Sequence, residues 1–108
     1  MNFPNDENGD VLRRMAEAGD DLSKARDVDF NHVFTSESDA GAFLIAASNA
    51  GFPGGEYGYW EEESCWDAQI TVNLTPTHAE ITRVKQDLDK LAKANNGRAD
   101  GWGCFQVD

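Results

Sequence analysis

The chain has 108 residues, of which 40% are hydrophobic and 27% are charged, as is usual for a single globular domain. Its formal net charge is −11, and residues 27–82 contain ten acidic residues and no lysine or arginine. Nucleic acids and anionic membranes need a basic surface, so this charge argues against both and favours a basic protein partner, or solubility alone.

Other compositional features point to a cytoplasmic protein. No apolar run approaches the ~18 residues of a membrane span, and the acidic N-terminus does not resemble a signal peptide. The two cysteines, Cys65 and Cys104, lack CxxC spacing, so we expect two reduced thiols and neither a disulfide nor a metal site.

The chain begins with a predicted flexible tail and a short helix. Residues 1–7 are expected to be flexible, and residues 8–108 to form one domain. Helical spacing of apolar residues predicts an amphipathic helix that ends at Gly19 and buries Val11, Leu12 and Met15. Residues 20–26 follow as a polar connector.

A strand and a helix come next. Residues 27–34 alternate, which predicts a strand with one buried face. His32 shares that face, and we favour a buried, hydrogen-bonded histidine over a catalytic one. Ser36 is the expected N-cap of a helix that ends at Gly51 and buries Ala40, Phe43, Leu44 and Ala47.

The middle of the chain predicts a hairpin. Tyr57 and Tyr59 are expected on one face of its first strand, and Gly58 and Trp60 on the other. Residues 61–64 form the turn. Residues 66–74 then alternate strictly, with Ala68, Ile70, Val72 and Leu74 facing inward.

The last predicted elements are a helix and a strand. Thr77 and Glu80 form a capping box for a helix whose buried stripe is Ile81, Val84, Leu88 and Leu91. Gly97 is expected to end this helix with a positive φ, and Asp100-Gly101 to form a turn before a strand over residues 102–107. Trp102 is either a core residue or a binding residue at a sheet edge.

The element order predicts an α+β fold of the ferredoxin-like class, β-α-β-β-α-β, with an additional N-terminal helix. It would contain a four-stranded antiparallel sheet with two helices on one face. The other face would be polar and acidic, with Asp29, Asn31, Asp67, Gln69, Thr71 and Asn73.

The sequence contains no recognisable catalytic or metal-binding motif. Asp29 and Asp67 could form a carboxylate pair across neighbouring strands, but general acid–base chemistry needs a pocket that separates their pKa values. We therefore predict no enzymatic activity, no catalytic residue, no cofactor and no metal.

Three stretches resemble a known family: residues 19–30, the Pro76-Thr77-His78 helix start, and Asp100-Gly101-Trp102-Gly103-Cys104-Phe105. Together they resemble the bacterial family of regulator of ribonuclease activity B, also called ribonuclease E inhibitor B. This resemblance implies a ferredoxin-like fold, and binding to a basic scaffold region of ribonuclease E that lowers its activity without catalysis. The enterobacterial type also has a long acidic C-terminal tail, whereas this sequence stops at Asp108.

An acidic and aromatic hairpin is the predicted contact surface, since carboxylates and aromatic faces both suit an arginine-rich peptide. The predicted partner-binding residues are Glu56, Tyr57, Tyr59, Trp60, Glu61, Glu62, Glu63, Trp66 and Asp67, with Asp100 and Trp102 from the family motif. One alternative is a solvated hairpin whose aromatic residues only pack on the sheet. Another is an effector-binding or immunity-type module with a different partner.

Overall fold

A computed structural model describes residues 5–104, which contain three helices and four strands. The helices are α1 (Glu7–Glu17), α2 (Glu37–Asn49) and α3 (His78–Ala94). The strands are β1 (Arg26–Phe34), β2 (Glu56–Trp60), β3 (Cys65–Leu74) and β4 (Arg98–Cys104). All neighbouring strands are antiparallel, in the order β2-β3-β1-β4. The predicted α+β fold with a four-stranded antiparallel sheet is confirmed.

The core lies between one face of the sheet and the helices α2 and α3. Alternate residues of β1 and β3 point into it because side chains alternate across a strand. The helices contribute the residues that recur every three or four positions. The predicted stripes are confirmed at most positions, with Val28, Phe30, Phe34, Ala40, Phe43, Ala47, Ala68, Ile70, Leu74, Ile81, Val84 and Leu88 all buried. Leu44, Val72 and Leu91, which were also predicted to be buried, are only partly buried against this core.

Side-chain caps set the beginning of each helix. The Ser36 hydroxyl accepts a hydrogen bond from the Asp39 amide at 3.1 Å, and the Thr77 hydroxyl accepts one from the Glu80 amide at 3.2 Å, so both residues are N-caps as predicted. The Glu80 carboxylate accepts from Arg83 at 3.1 Å, and the Thr77 amide donates to Thr75, so the second half of the predicted capping box does not form. Asp6 caps α1 in the same way, so this helix begins at Glu7, one residue before the predicted boundary. Residues 1–4 of the predicted flexible tail lie outside the described residues.

Helix α1 packs against α3. Leu12 is fully buried as predicted, whereas Val11 and Met15 are only partly buried. The Asn8 amide donates to the Thr82 hydroxyl at 3.2 Å. The sequence indicated no role for His78. In the structure, its Nε2 atom lies 2.9 Å from the carboxylate of Asp6. This contact joins the first turn of α3 to the cap of α1.

The connector between α1 and β1 contains a buried ion pair. The Arg26 guanidinium donates to both carboxylate oxygens of Asp20 at 2.7 Å, and the two residues are only 7% and 8% exposed. Burial acts to lower the pKa of Arg26, but hydrogen bonding and charge from Asp20 outweigh it and raise the pKa. The prediction of a merely polar connector missed this interaction.

The chain between α3 and β4 differs from the prediction at two points. Asn96, with a φ of 65°, takes the left-handed conformation that was expected of Gly97. Gly97 instead lies directly against the ring of Phe34, where a Cβ atom would clash. Asp100-Gly101 is not a turn, because β4 already begins at Arg98 and runs through it. Residues 105–107 of the predicted last strand lie outside the described residues.

Candidate functional site

The β2–β3 hairpin carries most of the predicted contact residues. Glu61, Glu62 and Glu63 lie in its turn and are all exposed, as is every residue of β2. Tyr57, Tyr59 and Trp60 are 41%, 53% and 36% exposed. The hairpin therefore presents large aromatic surfaces and three consecutive carboxylates to solvent, at one edge of the sheet.

The hairpin divides into two faces because its side chains alternate. On the helix side, the rings of Tyr57 and Tyr59 lie 5.8 and 5.2 Å from the ring of Trp66, measured between centroids. The Tyr57 hydroxyl donates to Glu37 of α2 at 3.1 Å, which raises the pKa of this tyrosine. Trp66 is partly buried against the core, so this aromatic cluster also attaches the hairpin to α2.

On the opposite side lies an open groove of about 450 Å³, which we call the open-face groove. All four strands contribute to it. Its lining consists of Asn31, Gly58, Tyr59, Trp60, Asp67 and Asp100. The structure thus brings Asp67 and Asp100 together with Trp60, although they are distant in the sequence.

Asp100 reaches this groove because of a β-bulge. Asn31 of β1 pairs with Gly101 and His32 pairs with Ala99, so Asp100 is the extra residue of β4. Bulges of this kind often re-aim a side chain beside a functional site. Gly101 has a φ of 111°, which a residue with a side chain rarely adopts.

On the open face of the sheet, the residues opposite Asp29 and Asp67 differ from those predicted. Asp29 lies opposite Thr71 and accepts a hydrogen bond from its hydroxyl at 2.6 Å, whereas Asp67 lies opposite Val33. The predicted Asp29–Asp67 pair is therefore wrong. Burial, followed by the negative charge of Asp100, raises the pKa of Asp67.

Asn31 and Gly58 are groove residues that were not predicted as part of the site. Sequence alternation had placed Asn31 on the polar face, but it carried no signal for a groove. The Asn31 Oδ1 atom is buried and has no hydrogen-bond partner within residues 5–104. A buried acceptor without a donor is costly, so this atom is a locally destabilising feature of the sheet beside the groove.

Trp102 does not belong to the hairpin surface. It pairs with Phe30 and packs against the core on the helix side of the sheet. Its indole N–H donates to Oδ1 of Asn8 in α1 at 3.0 Å. Of the two roles considered for this tryptophan, its contacts favour the structural one.

His32 is buried and hydrogen-bonded, as predicted. It is 1% exposed, and its Nε2 atom lies 2.8 Å from Asp89 of α3. The other oxygen of Asp89 accepts from Lys85 at 2.6 Å. Burial lowers the pKa of His32 more than the carboxylate of Asp89 raises it. These partners could not be predicted because they lie more than 50 residues along the chain.

The described residues contain no group of three or more histidine, cysteine or acidic side chains that could hold a metal ion. Across the same part of the chain, none of the helices is long and apolar enough to cross a membrane.

The structure therefore defines a small acidic α+β domain with an exposed aromatic hairpin and an acidic groove on its open sheet face. The family model for regulator of ribonuclease activity B matches residues 5–104, nearly the whole chain. The chain belongs to this family, and the family name supports a role as a regulator of ribonuclease activity. A search of curated proteins found no match.

Proposed function

We propose that this protein regulates a ribonuclease E-like endoribonuclease by binding a basic segment of the enzyme, without catalysis of its own. The observation that carries the proposal is the hairpin surface, where three exposed carboxylates adjoin exposed aromatic rings in a member of a ribonuclease-regulator family. A basic segment of the nuclease that becomes covered in this way would be less available to RNA, because RNA affinity depends on basic side chains.

The charge distribution supports a basic partner. Residues 27–82, which include the whole hairpin, contain no lysine or arginine to neutralise its acids. Guanidinium groups bind carboxylates through paired hydrogen bonds and stack on aromatic faces, so an arginine-containing segment would use both features of the hairpin.

We also assign the domain to the ferredoxin-like class, with α1 as an addition to the β-α-β-β-α-β order. In this assignment α2 and α3 cover one face of the sheet, which leaves the other face and the hairpin edge for binding. We place the protein in the bacterial cytoplasm, where RNA decay takes place and where free Cys65 and Cys104 would stay reduced.

The test is a binding experiment with an immobilised, purified ribonuclease E-type enzyme at two salt concentrations. The Debye length falls from about 30 Å at 0.01 M salt to about 8 Å at 0.15 M, so the association rate should fall as salt rises. Changing Glu61, Glu62 and Glu63 together to Gln should also slow association, while the thermal midpoint stays unchanged.

A matched control removes three charges from the helices instead, with Glu7→Gln, Glu17→Gln and Asp87→Asn, all at exposed positions. This variant has the same net charge as the hairpin variant. If the two variants bind equally, total charge and not the hairpin determines association. If the wild-type protein does not bind the nuclease or change its cleavage of RNA, the proposed function is wrong.

A further inference from the structure

We propose that the open-face groove is a recognition pocket for a single arginine side chain of the basic segment. This inference rests on the proposed function and specifies the chemistry of its recognition. Asp67 and Asp100 would accept the hydrogen bonds of the guanidinium, and Trp60 would form an aromatic wall beside them.

The charged side chains that line the groove, Asp67 and Asp100, are both acidic. Two carboxylates from different strands line the same groove, and no lysine or arginine is among the lining residues. A ligand that complements this set carries several donors and a positive charge.

The electrostatic environment of Asp67 favours the binding of a cation. Asp67 lines the groove at the point where β3 pairs with Gly58 of β2. Burial and the charge of Asp100 both raise its pKa, whereas the charge of His32 acts to lower it. A bound cation would relieve both the burial cost and the repulsion between the two carboxylates.

The shape and walls of the groove favour a guanidinium over a metal ion or an ammonium group. Among the described residues, no third carboxylate, histidine or cysteine joins Asp67 and Asp100 in a group that could hold a metal ion. A guanidinium is planar, carries five N–H donors in a fixed array, and stacks on aromatic faces. Gly58 leaves room in the groove, because no atom outside Gly58 and its two chain neighbours lies within 4 Å of the position that its Cβ would occupy.

The first test uses three blocked pentapeptides, Gly-Ser-X-Ser-Gly, in which X is arginine, lysine or the neutral arginine analogue citrulline. Each is titrated into the isotopically labelled protein while NMR follows the side-chain amide of Asn31 and the indole N–H of Trp60. We expect the arginine peptide to shift both signals and to bind at least about fivefold more tightly than the lysine peptide, with citrulline weaker still.

Two pairs of variants localise the binding. Asp67→Asn with Asp100→Asn should weaken the arginine peptide by about tenfold or more, because charge-assisted hydrogen bonds are lost. The control, Asp27→Asn with Asp29→Asn, removes two charges from the same sheet face outside the groove and should change the affinity less than about twofold.

Gly58→Leu should obstruct the groove, whereas Gly103→Leu is its steric control. Gly103 pairs with Asp29 on the same face, and its Cβ position is equally open. Circular dichroism of each variant checks that the fold is intact.

Equal binding of the arginine and lysine peptides, or equal losses in the two aspartate pairs, would overturn the arginine pocket. So would the same signal shifts with Mg²⁺ alone, which would indicate a metal site. If the nuclease binds wild-type protein and the Asp67/Asp100 variant equally, the pocket is refuted while the proposed function stands. If the nuclease does not bind but the arginine peptide does, the proposed function fails and the pocket remains.

Discussion

The buried Asp20–Arg26 pair provides a prediction whose size can be worked out from the structure. Asp20→Ala leaves the guanidinium of Arg26 in place, 7% exposed and without its carboxylate. Removing one partner of a buried ion pair costs about 3–5 kcal/mol, because the remaining charge is not compensated. Arg26 would keep its other contacts, among them the carbonyl oxygens of Asp21 at 2.7 Å and Lys24 at 3.2 Å. We therefore expect the free energy of unfolding to fall by about 3 kcal/mol, near the lower end of this range.

Urea unfolding, monitored by circular dichroism, measures this loss of stability. With an m-value of about 1–2 kcal/mol/M, the midpoint should fall by about 1.5–3 M. Asp21→Ala is the matched control. It makes the same change at the next residue, whose carboxylate contacts the exposed residues Ser23 and Lys24. It should lower the midpoint much less. Equal midpoints for Asp20→Ala and Asp21→Ala would refute the reasoning, since the buried pair would then contribute no more than an exposed contact.

Three further predictions concern the core. Leu88→Ala should lower the free energy of unfolding by about 2–5 kcal/mol in urea, because Leu88 is fully buried; a loss below about 1 kcal/mol would contradict its central position. Gly97→Ala should cost about 1–3 kcal/mol by overpacking against Phe34, and an unchanged midpoint would mean that the ring moves freely. The native pKa of His32 is lowered, so the unfolded state takes up a proton first and stability should fall as pH drops below about 6.5. His32→Gln should flatten this dependence in thermal unfolding at pH 5 to 7; an unchanged slope would assign it to other groups.

The sequence predicted the elements whose signals are local. Strict alternation over residues 66–74 placed the inward face of β3 correctly, because a strand repeats every two residues. Ser36 and Thr77 were identified as caps because a cap depends on an amide only three residues away. The buried stripe of α3 could be predicted in the same way, since residues three and four positions apart lie on one face of a helix.

The misassigned features depend on partners that are distant in the sequence or on register. Asp100-Gly101 resembles a turn by composition, and only its pairing with Asn31 in β1 makes it a bulge. Gly97 has the composition of a helix end, but its position is determined by the ring of Phe34, more than 60 residues earlier. At both positions the local sequence is compatible with either conformation, so the tertiary contact determines which one forms.

The sequence predicted most of the residues that belong to the candidate site, but not how those residues are arranged. Most acids and aromatic residues of the hairpin are exposed, and Trp66 and Asp67 are partly buried. Alternation divides them, so that Tyr57 and Trp66 lie on the helix side while Trp60 and Asp67 lie on the open face. A basic segment that contacts both faces would have to pass around the edge strand β2. A segment that contacts only the open face would use the groove and leave the tyrosines to stabilise the hairpin.

The Asp100-Gly101-Trp102-Gly103 motif combines a structural and a binding feature in one strand. The bulge sends the carboxylate of Asp100 to the open-face groove, while Trp102 points to the other side and holds Asn8 of α1. Gly101 permits this change of direction through its positive φ. Because both side chains depend on the same bulge, a change at Gly101 should disturb the groove and the attachment of α1 together. Asp100→Asn should affect only the groove, which is why the binding tests rely on the aspartates and not on the glycine.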